Sequence, residues 1–184
     1  MNRYFQTPPV VKNLIIINVL VYMATALLPV GDTIMQYCAL SLGTPYFHTY
    51  QFITYMFLHA NFEHIFFNMF ALWMFGRTLE YELGSRRFLT YYLVCGIGAA
   101  LLQLGVGWIE YSRAVSHFGE ASMTARMLLQ VPTVGASGAV FGLLLAYGVL
   151  HPNAIIMLMI PPIQIKAKWF VLIYGLIELF FGMS

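Results

Sequence analysis

A serine framed by small residues opens one of the apolar stretches of this 184-residue chain. The residues Gly135-Ala136-Ser137-Gly138 are followed, four positions later, by Gly142. Small residues in such a run allow the backbone to approach another element closely, and in membranes they mark helix interfaces. A hydroxyl in this setting is a candidate nucleophile, provided that a base accepts its proton.

A histidine and an asparagine lie four positions apart in an earlier apolar stretch. His64 and Asn68 project from one helix face, because residues i and i+4 are neighbours. Imidazole and carboxamide groups at membrane depth are costly unless they face protein or a water-filled cavity, so the pair is a candidate functional site. A structural alternative stays open, in which both groups hydrogen-bond to a neighbouring helix at about 0.6 kcal/mol each. His59 lies on a different face, and we interpret it as a loop anchor.

The composition is that of a polytopic membrane protein. Hydrophobic residues make up 60% of the chain and charged residues 9%, whereas soluble domains have roughly 45–50% and about 25%. Because no hydrophilic stretch is long enough for a soluble domain, we expect one all-α membrane domain over residues 1–184. Stretches near the ~20 residues that cross a bilayer occupy residues 13–29, 58–76, 88–109, 134–150 and 169–183.

The basic residues predict how the chain crosses the membrane. A cytoplasmic N-terminus places more of them in the cytoplasmic segments than in the outer loops, as the positive-inside rule requires. The cytoplasmic ones are Arg3, Lys12, Arg77, Arg86, Arg87, Lys166 and Lys168, and the outer ones are Arg113 and Arg126. Since these charges form no continuous patch, nucleic acid is not an expected partner.

The remaining reactive residues add little to the predicted chemistry. Cys38 falls in the first outer loop and Cys95 within the third apolar stretch, so a disulfide between them is not expected. No spacing resembles a metal site, and we expect neither metal nor cofactor. Glu178, in the fifth stretch, could carry protons or line a gate, or could be neutral and hydrogen-bonded there.

Three segments together resemble the rhomboid family of intramembrane serine proteases. A GxSG motif alone is weak, but an HxxxN helix, a charged GSxRF turn and a GxSGxxxG helix in this order are specific. The match runs through nearly the whole chain. The segments are residues 59–69 (HANFEHIFFNM), Glu80 with residues 84–89 (GSRRFL), and residues 135–138 (GASG) with Gly142.

The resemblance implies a rhomboid-like helical bundle and a serine endopeptidase that cleaves in or beside a transmembrane segment of another membrane protein. Ser137 would attack the peptide bond, and His64, Asn68 and the Ser137 backbone N–H would donate to the oxyanion. Such a protein is integral to its membrane, which we expect to be a bacterial inner membrane or a plasma membrane. The supporting residues implied by the resemblance are Gly135, Gly138, Phe141, Gly142 and His59.

In that family the general base is a histidine on a sixth helix, and no sixth apolar stretch is present here. His151 lies 14 residues after Ser137 in the same stretch, which is about 21 Å along a helix. His48 and His117 fall in outer loops. We therefore expect a C-terminally shortened protease with five of six helices, inactive in this form.

Small residues on the fourth stretch predict where the sixth helix would pack. Gly138, Gly142 and Ala146 recur every four positions, so we expect an open face there. Phe141 replaces a tyrosine on which the base stacks in some members. Tyr50-Gln51 replaces a Trp-Arg pair common in the first outer loop, which leaves the anchoring of that loop in question.

An alternative function is a non-catalytic rhomboid-like protein that binds client transmembrane helices. A small transporter or channel is disfavoured, because no inverted repeat is visible.

Overall fold

The computed structural model describes residues 6–41, 43–157 and 163–181, except for the side chains of residue 129 and residues 177–181. Arg3, the Glu178 side chain and residues 182–184, which entered the predictions above, lie outside this description. The described elements are α1 (Pro9–Leu27), α2 (Gly31–Cys38), α3 (Gln51–Thr54), a 3₁₀ turn (Tyr55–Phe57), α4 (Phe62–Leu83), α5 (Ser85–Phe118), α6 (Met123–Gln130), α7 (Ser137–Leu150), β1 (Ile155–Met157), β2 (Gln164–Lys166) and α8 (Ala167–Phe181).

The mostly helical structure agrees with the predicted class. The described part of each of the five apolar stretches lies mainly on one helix, namely α1, α4, α5, α7 or α8. Of the described helices, α1 and α5 are long and apolar enough to cross a membrane by length and composition. The count of five spans therefore stays a prediction. α5, which carries the third stretch, has 34 residues and continues to Phe118.

α7 is the central helix of the bundle. It packs against α4, α5 and α8, and its buried residues include Ala139, Val140, Leu143 and Leu144. An apolar helix without a polar face is typical of such a position, since every side is covered by protein or lipid. α7 is thus held by three neighbouring helices.

The small-residue face of α7 is covered by α5. A Cβ on Gly138 would overlap the Ala99 side chain, and one on Gly142 would lie 2.5 Å from the Cys95 Sγ. The Tyr91 hydroxyl donates a hydrogen bond of 2.8 Å to the Gly142 carbonyl across the same contact. The prediction of an open face at these glycines was therefore wrong. The sequence predicted that a helix approaches α7 closely at these glycines, and the helix that does so is α5.

A short hairpin connects α7 to α8. β1 and β2 pair antiparallel, with Ile156 opposite Ile165, and the Ala167 N–H donates to the Ala154 carbonyl at 2.8 Å. The following helix is oriented by aromatic contacts. Phe75 of α4 stacks on Phe170 of α8 with ring centroids 6.2 Å apart. α8 is therefore held against both α4 and α7.

The carboxylate of Glu80 joins α1 to the junction of α4 and α5. It accepts hydrogen bonds from the N–H groups of Val10 at 3.0 Å and Val11 at 2.8 Å, and from the Ser85 hydroxyl at 2.6 Å. The two valines lie in the first turn of α1, whose N–H groups have no intrahelical partner. Glu80 is only 2% exposed. A buried acceptor thus fixes the N-terminus of α1.

Replacement of Glu80 by alanine should destabilise the fold, because it removes the acceptor of two buried N–H groups. We expect a loss of about 1–3 kcal/mol, seen as a lower unfolding temperature in detergent. Glu80→Gln keeps one acceptor oxygen, so its unfolding temperature should lie between those of the wild type and Glu80→Ala. Glu120→Ala is the control, because Glu120 is exposed in a turn. Equal unfolding temperatures for Glu80→Ala and the control would contradict this role of Glu80.

Candidate active site

The turn before α7 is held by backbone hydrogen bonds to two earlier segments. Leu40 and Thr133 form an isolated antiparallel bridge, with N–H to carbonyl distances of 3.1 and 2.9 Å. Two residues later, the Gly135 N–H donates to the Tyr55 carbonyl at 2.9 Å. Since both partners precede α4, the segment between α1 and α4 fixes the start of α7.

Gly135 brings the imidazole of His64 beside the hydroxyl of Ser137. Its φ of 123° lies in a region that side chains rarely adopt. A Cβ built on Gly135 would lie 2.6 Å from the His64 Nε2 and 3.6 Å from the Ser137 Oγ. The His64 ring edge and the Ser137 hydroxyl therefore both border the space that a Cβ of residue 135 would occupy. Only glycine leaves that space free.

Ser137 is the first residue of α7 and is exposed, whereas Gly135 and Ala136 are buried. No side chain caps this helix end. The first N–H groups of a helix lack intrahelical acceptors, and they carry the positive end of the helix dipole. The serine hydroxyl thus lies among donors that favour negative charge.

Asn68 is buried on α4, one turn after His64. Its Nδ2 donates to the His64 carbonyl at 2.9 Å, a bond within the helix. The structure thus places Asn68 next to His64 on α4, with its amide bonded to the backbone of the same helix. The helix start is set by Asn61, whose side chain accepts from the His64 backbone N–H at 2.8 Å. α4 therefore begins at Phe62, and residues 58–61 of the second apolar stretch are not helical.

His59 lies in the non-helical segment before α4 and is 3% exposed. Its ring centroid is 5.0 Å from that of His64, with an interplanar angle of 70°. Neither of its ring nitrogens makes a hydrogen bond within the described residues. The Phe57 carbonyl lies near the ring, and the interpretation of His59 as a loop anchor stays a prediction.

Gln51 anchors the segment between α1 and α4. Its side chain is fully buried, and its Nε2 donates to the carbonyls of Tyr37 and Tyr46, each at 2.9 Å. The Thr54 hydroxyl adds a bond of 2.7 Å to the Cys38 carbonyl. The anchoring of this segment was in question because Tyr50-Gln51 replaces a Trp-Arg pair. The Gln51 amide provides it by bonding to two carbonyls of the segment.

Tyr55 is a structural residue of the site that the sequence reasoning missed. Its hydroxyl donates to the Gly96 carbonyl of α5 at 2.6 Å, while its own carbonyl accepts from Gly135. Burial raises the pKa of Tyr55 to about 12, so the hydroxyl keeps its proton at working pH and donates. One residue thus connects α5 to the turn before Ser137.

A cavity of about 210 Å³ opens beside Ser137, between α5, α7 and α8. Phe141 forms part of its wall and stacks on Tyr174, with ring centroids 6.0 Å apart. The hydroxyl therefore has open space on a side that His64 does not occupy. The lining residues are Tyr55, Ala99, Gln103, Thr133, Val134, Ser137, Gly138, Phe141 and Tyr174.

The other three histidines have different neighbours. His151 ends α7 and pairs with Glu82 of α4 at 3.0 Å. His48 stacks on Tyr50, with ring centroids 5.2 Å apart. His117 lies in the last turn of α5. Among the described residues, the imidazoles at the Gly135 turn are therefore His64 and, next to it, His59.

Comparisons with known proteins agree with the resemblance of the motifs. A family model described as Rhomboid domain matches residues 46–184. The chain is 35% identical over 107 residues to Rhomboid protein 1, mitochondrial, of Saccharomyces cerevisiae, covering 58% of this chain and 27% of that protein. It is 41% identical over 95 residues to Rhomboid-like protein 11, chloroplastic, of Arabidopsis thaliana, covering 51% and 26%.

A bacterial relative is the Rhomboid protease AarA of Providencia stuartii, which is 35% identical over 88 residues, covering 48% of this chain and 29% of the relative. The chain thus spans little more than a quarter of the length of each of these relatives.

Replacement of Gly135 by alanine should disable the site. The new Cβ would displace the His64 ring and strain a backbone with positive φ, at a cost of about 1–3 kcal/mol for the backbone alone. We expect the rate at which a fluorophosphonate labels Ser137 to fall at least about tenfold, equivalent to ~1.4 kcal/mol.

Gly98→Ala is the matched control, since a Cβ at Gly98 meets no atom within 4 Å. Alanine in a helix interior should leave labelling unchanged and stabilise the protein by roughly 0.5–1 kcal/mol. Equal labelling of the Gly135→Ala and Gly98→Ala proteins would refute the importance of the close contact at Gly135.

Proposed function

Because the chain belongs to the rhomboid family, we propose that it is an intramembrane serine endopeptidase that cleaves transmembrane or membrane-adjacent segments of membrane proteins. One observation carries the proposal: the His64 Nε2 and the Ser137 Oγ converge beside Gly135 at the start of α7. Proteins of this family lie in membranes, so the substrates are other membrane proteins in the same bilayer.

The arrangement suits acyl transfer. Attack by Ser137 on a peptide carbonyl creates an oxyanion, and the donors proposed for it are the His64 Nε2, the Asn68 amide and the Ser137 backbone N–H. Such donors are effective when they are fixed before the reaction and shielded from water. The close approach of the His64 ring to Gly135 supports a fixed position for this donor. The amide of Asn68 would turn from the His64 carbonyl toward the oxyanion as the charge develops.

The proton of Ser137 requires an acceptor on another side of the hydroxyl. By the resemblance, this base is a histidine outside the described residues. We place it at the cavity between α5, α7 and α8, where the Phe141 ring offers a stacking surface. Family members with a tyrosine at this position use the ring in that way, and phenylalanine retains it.

The length of α7 supports a site below the membrane surface. Its 14 residues extend about 21 Å, less than the ~30 Å of the hydrocarbon core. If its Leu150 end lies at the cytoplasmic interface, then Ser137 lies within the outer half of the bilayer. This placement follows from the proposed cytoplasmic N-terminus, and the proposed bilayer is a bacterial inner membrane or a plasma membrane.

A second function, binding of client helices without cleavage, is favoured by one contact. The Asn68 amide donates within its own helix rather than toward Ser137, so the proposed oxyanion donors are not all in place. The two functions differ in the reactivity of the serine. A binder would leave Ser137 inert, whereas a protease activates it.

Loss of the Ser137 hydroxyl should abolish both proteolysis and labelling. In the full-length gene product reconstituted in liposomes, Ser137→Ala should reduce cleavage of a transmembrane substrate and fluorophosphonate labelling to background. Ser112→Ala is the control, because this exposed serine of α5 bonds only within its helix. Persistent labelling of the Ser137→Ala protein would exclude Ser137 as the nucleophile, and an inert wild-type serine would favour the binder.

Removal of one oxyanion donor should lower kcat more than it changes KM. We expect His64→Ala and Asn68→Ala each to reduce kcat by about 10²–10³-fold, measured with a fluorogenic transmembrane substrate. Asn13→Ala is the control, since Asn13 is exposed on α1. A rise in KM at constant kcat would instead assign these residues to substrate binding, and unfolding temperatures would separate both effects from misfolding.

A further inference from the structure

The short helix α6, which precedes the Gly135 turn, exposes apolar side chains. It packs against α5, and Ala125 on its inner side is completely buried. Met123, Met127 and Val131 follow one another at steps of four residues, and each is more than half exposed. Residues four apart lie on one face of a helix. α6 therefore carries an apolar stripe that the described part of the chain leaves uncovered.

A polar side of α6 adjoins this stripe. Arg126 is exposed and lies about 100° around the helix from Met127. Gln130 is exposed one turn further along the same side. A helix that lies at a membrane–water interface has an apolar face in the acyl boundary and a polar face toward water. The three sides of α6 thus match protein, lipid and water.

The path of the chain determines the level of α6 along α5. A Cβ on Gly138 would overlap the Ala99 side chain, so α7 begins level with Ala99 of α5. α5 continues beyond that level to Phe118, a further ~28 Å. The segment 119–136 must return over this height to reach Ser137. α6 lies within the returning segment and therefore runs beside the last turns of α5.

Aromatic side chains on these turns of α5 mark a membrane interface. Trp108 is exposed, and its ring centroid lies 5.7 Å from that of Tyr111. Both residues lie between the level of Ala99 and the end of α5 at Phe118. Tryptophan and tyrosine are enriched where the acyl chains meet the headgroups. The helix that returns along this part of α5 is therefore at the depth of the headgroups and the adjoining acyl chains.

We propose that α6 is an interfacial helix whose stripe of Met123, Met127 and Val131 inserts into the phospholipid acyl chains of the leaflet on the Ser137 side. Unbranched methionine side chains adapt to irregular apolar surroundings, and fluid acyl chains are such surroundings. Exposure of the stripe to water would be unfavourable. The proposal rests on the location of the protein in a membrane and does not depend on proteolysis.

The proposed lipid contact adjoins the segment that positions the candidate site. Only residues 132–136 separate Val131 from Ser137. Among them, Thr133 pairs with Leu40, and the Gly135 N–H donates to the Tyr55 carbonyl. Lipid thus holds one end of a connection whose other end is held by protein.

Fluorescence quenching of labelled cysteines tests the proposal in phosphatidylcholine nanodiscs, where iodide reaches both membrane faces. Met127→Cys and Arg126→Cys each carry an NBD fluorophore in a Cys38→Ser/Cys95→Ala background, which removes the native cysteines. Doxyl-labelled phosphatidylcholine should quench the probe at Met127 more strongly. The iodide quenching constant at Met127 should be at least about fivefold lower than at Arg126, because interfacial helices bury their apolar face roughly 5–10 Å deep.

Arg126 is the matched control, since it is the exposed neighbour of Met127 on the polar side. Met123→Cys, one turn earlier on the stripe, should behave as Met127→Cys does, and unfolding temperatures verify that the labelled proteins fold. Equal iodide quenching at the three positions would overturn the proposal, since the stripe would then face water. Protection of Met123 and Met127 from both quenchers would overturn it as well, because protein would then cover the stripe.

Discussion

The candidate site depends on the absence of a side chain at Gly135. The backbone there has a φ of 123°, and the ring edge of His64 lies in the space that a Cβ would need. Glycine satisfies both conditions without strain. Because Gly135 precedes Ser137 by two residues, the contact that positions the imidazole also sets its distance from the hydroxyl. A ring that packs on backbone atoms has little freedom to turn, which is the preorganisation that an oxyanion donor requires.

The Gly135 turn is itself held by segments that are distant in sequence. Leu40 pairs with Thr133, and the Tyr55 carbonyl binds the Gly135 N–H. The loop that carries Leu40 is in turn fixed by the buried amide of Gln51. The segment between α1 and α4 is therefore a structural part of the site, although none of these residues is assigned a chemical role. On the other side, α5 supports α7 through the contacts at Gly138 and Gly142.

The sequence predicted the local features of this site better than its long-range contacts. Helix periodicity placed His64 and Asn68 on one face, and the glycines around Ser137 indicated a close approach of backbone. Their catalytic roles stay predictions. The small-residue spacing on α7 could not identify the approaching helix, because any helix fits a smooth face, and α5 was overlooked. The burial of Glu80 was equally hidden, since its partners Val10 and Val11 lie about seventy residues earlier.

The two sides of the Ser137 hydroxyl have different surroundings, and this difference bears on the mechanism. His64 approaches over Gly135 from α4, whereas the cavity lies between α5, α7 and α8 and is walled by Phe141. A serine nucleophile needs a donor set for the oxyanion and a separate acceptor for its proton, because one imidazole cannot serve both at the same moment. In the proposed mechanism His64 serves the oxyanion on the first side, so the proposed acceptor of the serine proton would lie on the second. The proposal thus assigns proton transfer to the cavity side of Ser137 and oxyanion binding to the Gly135 side.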